Sequence, residues 1–555
     1  MADKVYDALV IGSGAAGSFA AKELTERGLE VLLLEAGRNI TAADFQNVPK
    51  GPVEKGIQLP HRILATLRGQ HIQSRVAMYG RQFSHLFVND REHPYATTRE
   101  QPFLWIRGKQ LGGRLHTYGR VLLRWSDYDF KAASRDALGE DWPICYADLA
   151  PYYDRAEEFL KVYGTGDHLP NLPDGRYVGA SKLTRLESDF KAAVEAHWPD
   201  RHPIPWRYTA PNAQRVPQAI LAAQATGRLT IRADAIVRRI LTDRATGAAS
   251  GAEVIDRRSH EVSNVSARAV VVCASPIESI RLLLNSKSDR HPNGLANSSG
   301  ILGHYFMDQV PCMIYGFDPG SSGNEVDDTV PPDAYYGVTG GVYIPRWENL
   351  ARVTDPAFSR GFSYQGTIGR LYVRPGAQAK FAFMGFGEML PDFDNAVTLH
   401  PHRKDRWGIP LPHIRCWIGA NERSMLHAQT ESIRQMVASA GLEVEWMGSP
   451  LGLTEYGRGA FSNEGAISRF FFRRFFKSSM TMGAAIHESG GARMGMTPAN
   501  SVLNPFNQSW DVKNLFVTDA SSFPTSGCCG TTLTVMALTI RACEHLVNEY
   551  RSGRL

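Results

Sequence analysis

The chain opens on a strand, a glycine turn, a helix, a second strand and an acid, and this order makes residues 1–37 read as a βαβ unit. Residues 6–11 form an apolar run of strand length, and Gly12, Ser13, Gly14, Ala15, Ala16 and Gly17 follow at once. A helix-forming stretch then runs to Gly28, and a second strand over residues 31–34 ends at Glu35 and Ala36. Gly12 permits the tight turn, Gly14 lets backbone approach a pyrophosphate, and Gly17 lets the helix pack against the strand. The pyrophosphate belongs at the positive end of that helix. Glu35 stands roughly 20 residues on, where a carboxylate meets a ribose 2′-hydroxyl. A glycine turn without a ligand is the plain alternative, but the strand, helix and acid around this one favour a dinucleotide.

Length and composition set the frame. A chain of 555 residues exceeds the roughly 250–300 at which a single core stops growing, so more than one domain is expected. Charged residues at 21% and hydrophobic ones at 43% suit a soluble globular protein. A net charge of +5 is mild and has no basic tail, so nucleic acid is not an expected partner. No stretch reaches the roughly 18 apolar residues of a membrane span, and the first strand begins too early for a signal peptide. Seven scattered cysteines without CxxC spacing read as reduced thiols in a cytoplasmic protein, with no metal site expected.

Residues 38–100 show no clean period and read as an excursion from the nucleotide domain. Arg107 closes an apolar run, and the Gly112-Gly113 pair beyond it marks a place where backbone approaches something closely. A helix is expected over 149–162, and strands over 229–232, 235–237 and 267–274, the last ending at Ala274. Their near-continuous β-branched runs predict buried parallel strands, followed by a helix over 277–285. Residues 311–480 carry alternating, aromatic-rich segments, including 381–386 and 413–418, as in a half-exposed antiparallel sheet. A buried strand over 515–519 and a helix over 532–551 close the chain. The aromatic and cationic run over 467–477 suits a subunit contact, a lid, a membrane-surface patch or a buried amphipathic segment. Arg120, Arg124 and Trp125 either line a pocket or serve the core.

Several motifs together resemble the glucose-methanol-choline family of FAD oxidoreductases over essentially the whole chain. They are the N-terminal fingerprint, the Gly112-Gly113 pair, residues 271–279 and 294–299, the run from His487 to Gly495, and Asp519-Ala520-Ser521. The sugar-oxidising bacterial branch is the most similar, through Asp141-Trp142-Pro143, Pro151-Tyr152-Tyr153 and residues 404–410. The resemblance implies a mixed α/β fold: a Rossmann-like FAD-binding domain interleaved with a substrate domain on a largely antiparallel sheet with helices. The expected FAD-binding pieces are 1–45, 100–130, 220–310 and 495–555; the substrate pieces are 46–99, 131–219 and 311–494. It also implies FAD with Glu35 on the adenosine ribose, Val237 backbone facing the adenine, and Asp519, Thr531 and Thr532 by the ribityl chain and flavin pyrimidine. Packing alone is the other reading of Val237 and Thr532. Ala36, Arg107, Gly112, Gly113, His116, Thr117 and Ala274 complete the expected cofactor contacts. Some relatives bind FAD covalently through a histidine in the glycine-pair motif; Thr117 stands at that place and His116 one residue short. Non-covalent FAD is therefore expected, with His116 a pocket residue or a packed one.

Alcohol oxidation by a flavin needs a base for the hydroxyl proton while the carbon gives hydride to N5, and a histidine suits that role. His487 stands where the family keeps this base. The family's second group, His or Asn, is replaced by Gly530, which has no side chain to offer. Cys529 or Thr531 acts instead, another loop donates the group, or the reaction is not ordinary alcohol oxidation. Heterotrimeric dehydrogenases of the sugar-oxidising branch carry a cysteine-rich insert for an iron–sulfur cluster, and this sequence has no such cluster of cysteines, so electrons should leave the flavin directly to O2, a quinone or a redox protein. The expected activity is oxidation of a secondary hydroxyl of a sugar or glycoside to a ketone; a homo-oligomer is one option for the assembly, whose state the sequence does not fix. The rivals are a biosynthetic enzyme acting on a natural-product alcohol or amino-sugar, and a weakly active flavin-binding subunit that needs a partner.

Overall fold

The computed structural model describes residues 4–46, 59–76, 79–325, 330–373, 376–459 and 465–555. Parts of the predicted excursion (47–58 and 77–78) and of the predicted antiparallel region (326–329, 374–375 and 460–464) lie outside the described residues. The opening motif folds as its pattern dictates, with a strand at Val5–Ile11, a helix at Ala15–Glu26 and a strand at Val31–Leu34. Val31–Leu34 lies between Val5–Ile11 and Leu229–Arg232, and Val262–Val272 lies on the other side of Val5–Ile11. All four run parallel, and Leu515–Val517 pairs parallel with the C-terminal half of Val262–Val272.

Residues 235–237 depart from the expected parallel pattern. Ala235–Thr242 pairs antiparallel with Ala249–Asp256, which pairs antiparallel with the first half of Val262–Val272. The cause is the short connection: the Asp243 side chain accepts N–H bonds from Ala245 and Thr246, tightening a turn that only antiparallel neighbours can share. Leu229–Arg232 is parallel as expected but half-exposed rather than buried. The helix predicted over 149–162 spans Tyr146–Leu160. Its start is capped by the Asp148 carboxylate on the Cys145 N–H, and Val162–Tyr163 instead pairs with Tyr208–Thr209.

A second, antiparallel sheet of seven strands runs in the order Gly452–Glu455, Glu443–Ser449, Val310–Ser322, Gln378–Gly387, Phe362–Ile368, Val342–Ile344 and Ile204–Pro205. The expected strand over 413–418 belongs elsewhere: Pro410–Arg415 joins Ala396–Lys404 and Ala96–Thr97 in a small third sheet, and residues 416–418 leave it.

The closing helix, Thr532–Arg551, is apolar around most of its first three turns and packs against Ala15–Glu26 and Tyr146–Leu160. Just before it, Trp125, Phe130, Trp142 and Phe523 form a buried edge-and-tilt aromatic cluster. Such pairs contribute about 0.5–1.5 kcal/mol each beyond area burial, so the turn over residues 524–531 rests on a rigid floor. Among the described residues, no helix is long and apolar enough to cross a membrane.

Candidate active site

At the start of Ala15–Glu26 the backbone must bend where only glycine bends freely. Gly12 has φ +99°, and a Cβ there would stand 2.4 Å from the Cys273 carbonyl oxygen. A Cβ on Gly17 would come within 1.8 Å of the Gly12 oxygen, so this glycine lets helix and turn touch. The Ser13 hydroxyl donates to Glu35 Oε2 and accepts the Gly112 N–H at 2.9 Å, while the Gly37 N–H donates to Glu35 Oε1 at 2.8 Å. One buried hydroxyl therefore ties the glycine turn, the acid and the glycine pair together. Burial raises the Glu35 pKa, and the Ser13 and Gly37 hydrogen bonds oppose that rise.

A cavity of about 1190 Å³ begins at this turn. Gly12, Gly14, Ala15 and Ala16 line it, together with Glu35, Ala36 and Val237. Arg107, Gly113, Thr117 and Ala274 line it as well. Burial lowers the Arg107 pKa, opposed chiefly by Asp90. Asp519 also lies in the wall and accepts the Ser279 and Ser521 hydroxyls; burial pushes its carboxyl pKa up.

The same cavity is lined by His487, Gly530, Thr531 and Thr532. His487 leaves a turn whose backbone is pinned by Asp308, which accepts the Gly483 and His487 N–H groups at 2.9 Å each. Burial, reinforced by Glu488, holds the Asp308 pKa well above the usual carboxylate range. The imidazole packs on Phe386 at 5.0 Å between ring centroids, and Nδ1 lies 2.6 Å from Gln309 Oε1. The orientation of Gln309 is fixed, because its Nε2 donates to the carbonyls of Ser526, Gly527 and Cys529 at 3.1, 3.0 and 2.8 Å. Oε1 can only accept, so Nδ1 carries the proton and Nε2 keeps the lone pair. Burial lowers the His487 pKa to about 4, with the Arg114 guanidinium a second cause. Arg114 in turn pairs with Glu488 at 2.6 Å and donates to Ser275 Oγ at 3.1 Å.

Some expected site residues stand behind the wall rather than in it. Gly17 and Gly112 support the turn without lining the cavity. Of the two readings of His116, the packed one is found: its ring lies against Phe45, and Nε2 is 2.8 Å from the Leu111 carbonyl. Cys529 does not reach the cavity, because its Sγ turns inward to the Tyr343 hydroxyl at 3.1 Å. Arg124 serves the core, bound to Glu157 and Asp154, and Trp125 is fully buried with Nε1 donating to the Gly530 carbonyl at 3.3 Å. Arg120 lines the cavity with its guanidinium 4.4 Å over the Tyr336 ring. The run over 467–477 forms the helix Ala466–Lys477, which buries Phe472 and Phe476 against Trp446 while Ile467 and Phe470 face solvent. Gln309 escaped the sequence reading altogether, because it carries no motif and stands 178 residues from the histidine it holds. Arg114 directly follows the glycine pair and Glu488 directly follows His487, and only the folded chain shows that the two pair.

The glycine cradle at a helix N-terminus, the buried acid beside it and the long cavity suit a dinucleotide. This is a nucleotide-binding oxidoreductase fold, and the comparisons agree. The FAD binding domain family matches residues 7–290, just over half of the chain, and the GMC oxidoreductase family matches residues 391–539. The chain belongs to the GMC oxidoreductases and is an FAD-dependent enzyme. It is 27% identical to 2-methyl-1,2-propanediol dehydrogenase of Mycolicibacterium austroafricanum, over 98% of this chain and 95% of that protein. It is 25% identical to the fructose dehydrogenase large subunit of Gluconobacter japonicus, over 99% of this chain and 98% of that one. A solved formate oxidase from Aspergillus oryzae RIB40 shares the fold, with a TM-score of 0.64 at 16% identity and full coverage of both chains. Among the described residues, no group of His, Cys, Asp and Glu is arranged to hold a metal ion.

Proposed function

We propose that this enzyme oxidises a secondary hydroxyl of a sugar or glycoside to a ketone, with His487 as the base. The observation that carries this is the tautomer: Gln309 holds the proton on Nδ1 and leaves the Nε2 lone pair of a cavity-lining histidine to take the hydroxyl proton. Burial and Arg114 keep the ring neutral above about pH 4, so the base is ready at physiological pH. Bound FAD supplies the hydride acceptor at N5. Gly12, Gly14, Ala15 and Ala16 would hold its pyrophosphate, Glu35 its adenosine ribose and the Val237 backbone its adenine, and Asp519, Thr531 and Thr532 would hold the ribityl and pyrimidine side. Thr117 in the wall and His116 packed behind it favour FAD held without a covalent bond. A hydroxyl-bearing substrate is supported by relatives named for a diol and for fructose. One of those is named as a large subunit, which supports a partner protein as one destination for the electrons beside O2 or a quinone. The seven free cysteines suit the cytoplasm.

The test is anaerobic stopped-flow flavin reduction across free sugars, O- and C-glycosides, amino-sugars and simple alcohols, with product mass recorded. Bleaching with loss of two hydrogens from a sugar or glycoside is the expected result. A flavin that stays oxidised with every member of the panel would overturn the proposal.

A further inference from the structure

Arg120 is a buried cation that no protein anion meets. It is 9% exposed, and its Nε has no hydrogen-bond partner. The guanidinium makes no hydrogen bond or ion pair among the described residues; it rests on the face of Tyr336, at 4.4 Å. The arginines near it are spent. Arg114 pairs with Glu488, Arg124 with Asp154 and Glu157, and Arg215, which shares the Tyr336 ring, with Asp333. The tyrosines beside Arg120 supply no negative charge, because burial pushes Tyr118 and Tyr336 each up to about 12. A charge taken out of water is costly until an anion meets it.

The backbone is bent to place this side chain. Arg120 has φ +59°, in the left-handed region that a residue with a Cβ seldom takes. The bend is held on both sides: the Arg120 carbonyl accepts the Thr209 N–H at 3.2 Å, and the Leu122 N–H donates to the Arg207 carbonyl at 2.7 Å. Backbone outliers of this kind gather at ligand sites. Arg120 lines the same cavity as His487, and Tyr118 and Gln365 line it too. Gln365 sets its amide over Gly119, where a Cβ would stand 3.3 Å from Nε2. The antiparallel sheet ties this corner to the base. Gln365 lies opposite Met384, and Phe386, two residues further along that strand, packs on the His487 ring, a separation of about 7 Å along the strand.

We infer that Arg120 binds a carboxylate of the substrate, so that the hydroxyl oxidised at His487 belongs to a sugar acid: a uronic acid, its glycoside or an aldonic acid. This rests on the sugar-hydroxyl oxidation proposed above. A guanidinium presents a planar fork that a carboxylate matches with two parallel hydrogen bonds. One unspent positive charge suits one negative charge, whereas a phosphate brings nearly two and Arg215 is already committed to Asp333. Bound FAD would not neutralise Arg120, because its pyrophosphate belongs at the start of Ala15–Glu26 and an oxidised flavin ring is uncharged.

The experiment measures anaerobic flavin reduction in wild-type, Arg120→Asn and Arg120→Lys holoenzymes; Asn accepts the left-handed backbone, and Lys keeps the charge without the fork. The probes are matched pairs, D-glucuronate with D-glucose and methyl β-D-glucopyranosiduronate with methyl β-D-glucopyranoside, and D-glucose 6-phosphate stands for the dianion. Wild type should favour the acid of each pair, by kcat/KM, about tenfold or more, and Arg120→Asn should lose that preference through KM, with Arg120→Lys between them. A wild-type ratio at or below one would overturn the inference, as would a ratio that both variants keep. Preference for the phosphate over D-glucuronate would overturn the carboxylate. Loss of FAD from both variants would assign the guanidinium to the cofactor and overturn it too. No bleaching by any probe would overturn the proposed function instead, and cyclohexanecarboxylate would then decide the inference: a shift in wild-type flavin absorbance that Arg120→Asn lacks would support it, and no shift in wild type would overturn it.

Discussion

His487 acts through what surrounds it. The Gln309 amide is committed on both sides, to one imidazole nitrogen and to three carbonyls of the turn before Gly530. The rate of flavin reduction should therefore hold steady as pH falls, until His487 protonates near its lowered pKa of about 4. Below that the base is filled and the rate drops. Glu in place of Gln309 would set a negative charge against the imidazole and favour its charged form, moving this acid limb to higher pH. A pH profile of anaerobic reduction for Gln309→Glu checks this. A limb that stays where it was, with only a lower rate, would reduce Gln309 to a loop support. His487 was legible because its glycine-rich surroundings make a motif, whereas Gln309 acquires meaning only when the chain folds back on itself. Gly530 was legible as a missing group, but the hold of Trp125 on its carbonyl was not.

At the level of elements, periodicity located the parallel strands and misjudged their neighbours. Residues 235–237 look like the buried strands beside them because both are rich in apolar and β-branched residues. Strand direction is set by the connection, and the Asp243 turn decided it. The partner strand Ala249–Asp256 went unseen because Gly251 and the small residues around it break the β-branched run. The glycine turn shows the opposite case, since its chemistry is all local. Gly17→Ala should force the Gly12 carbonyl away from a methyl that has no room, costing about 1–3 kcal/mol. The purified variant is expected to hold less FAD by absorbance and to melt at a lower temperature than wild type. Full FAD occupancy with an unchanged melt would mean that the helix can shift without disturbing the cradle.

Across the whole molecule, the parallel sheet and the antiparallel sheet both contribute to one cavity, so the ties that hold the antiparallel sheet in place matter to the site. One of them is ionic. Glu388, just past Gln378–Gly387, accepts Arg360 at 2.8 Å and Arg346 at 3.3 Å, all three nearly inaccessible, while Arg360 reaches on to Asp136 and the Leu138 carbonyl. Replacing Glu388 with Gln removes the carboxylate that Arg346 and Arg360 share and leaves Arg360 with Asp136 alone, a loss of about 3–5 kcal/mol by analogy with broken buried pairs. Chemical denaturation of the holoenzyme should register it, and a change below about 1 kcal/mol would show that water already screens the cluster. No periodicity could have revealed such a network, because its members come from four separate stretches of chain. The claim that joins all three scales is that His487 is the base. Its most direct test is anaerobic flavin reduction by His487→Ala, using the best substrate found for wild type. The variant should keep its FAD and reduce it about 10²–10⁴ times more slowly; an unchanged rate would contradict the assignment.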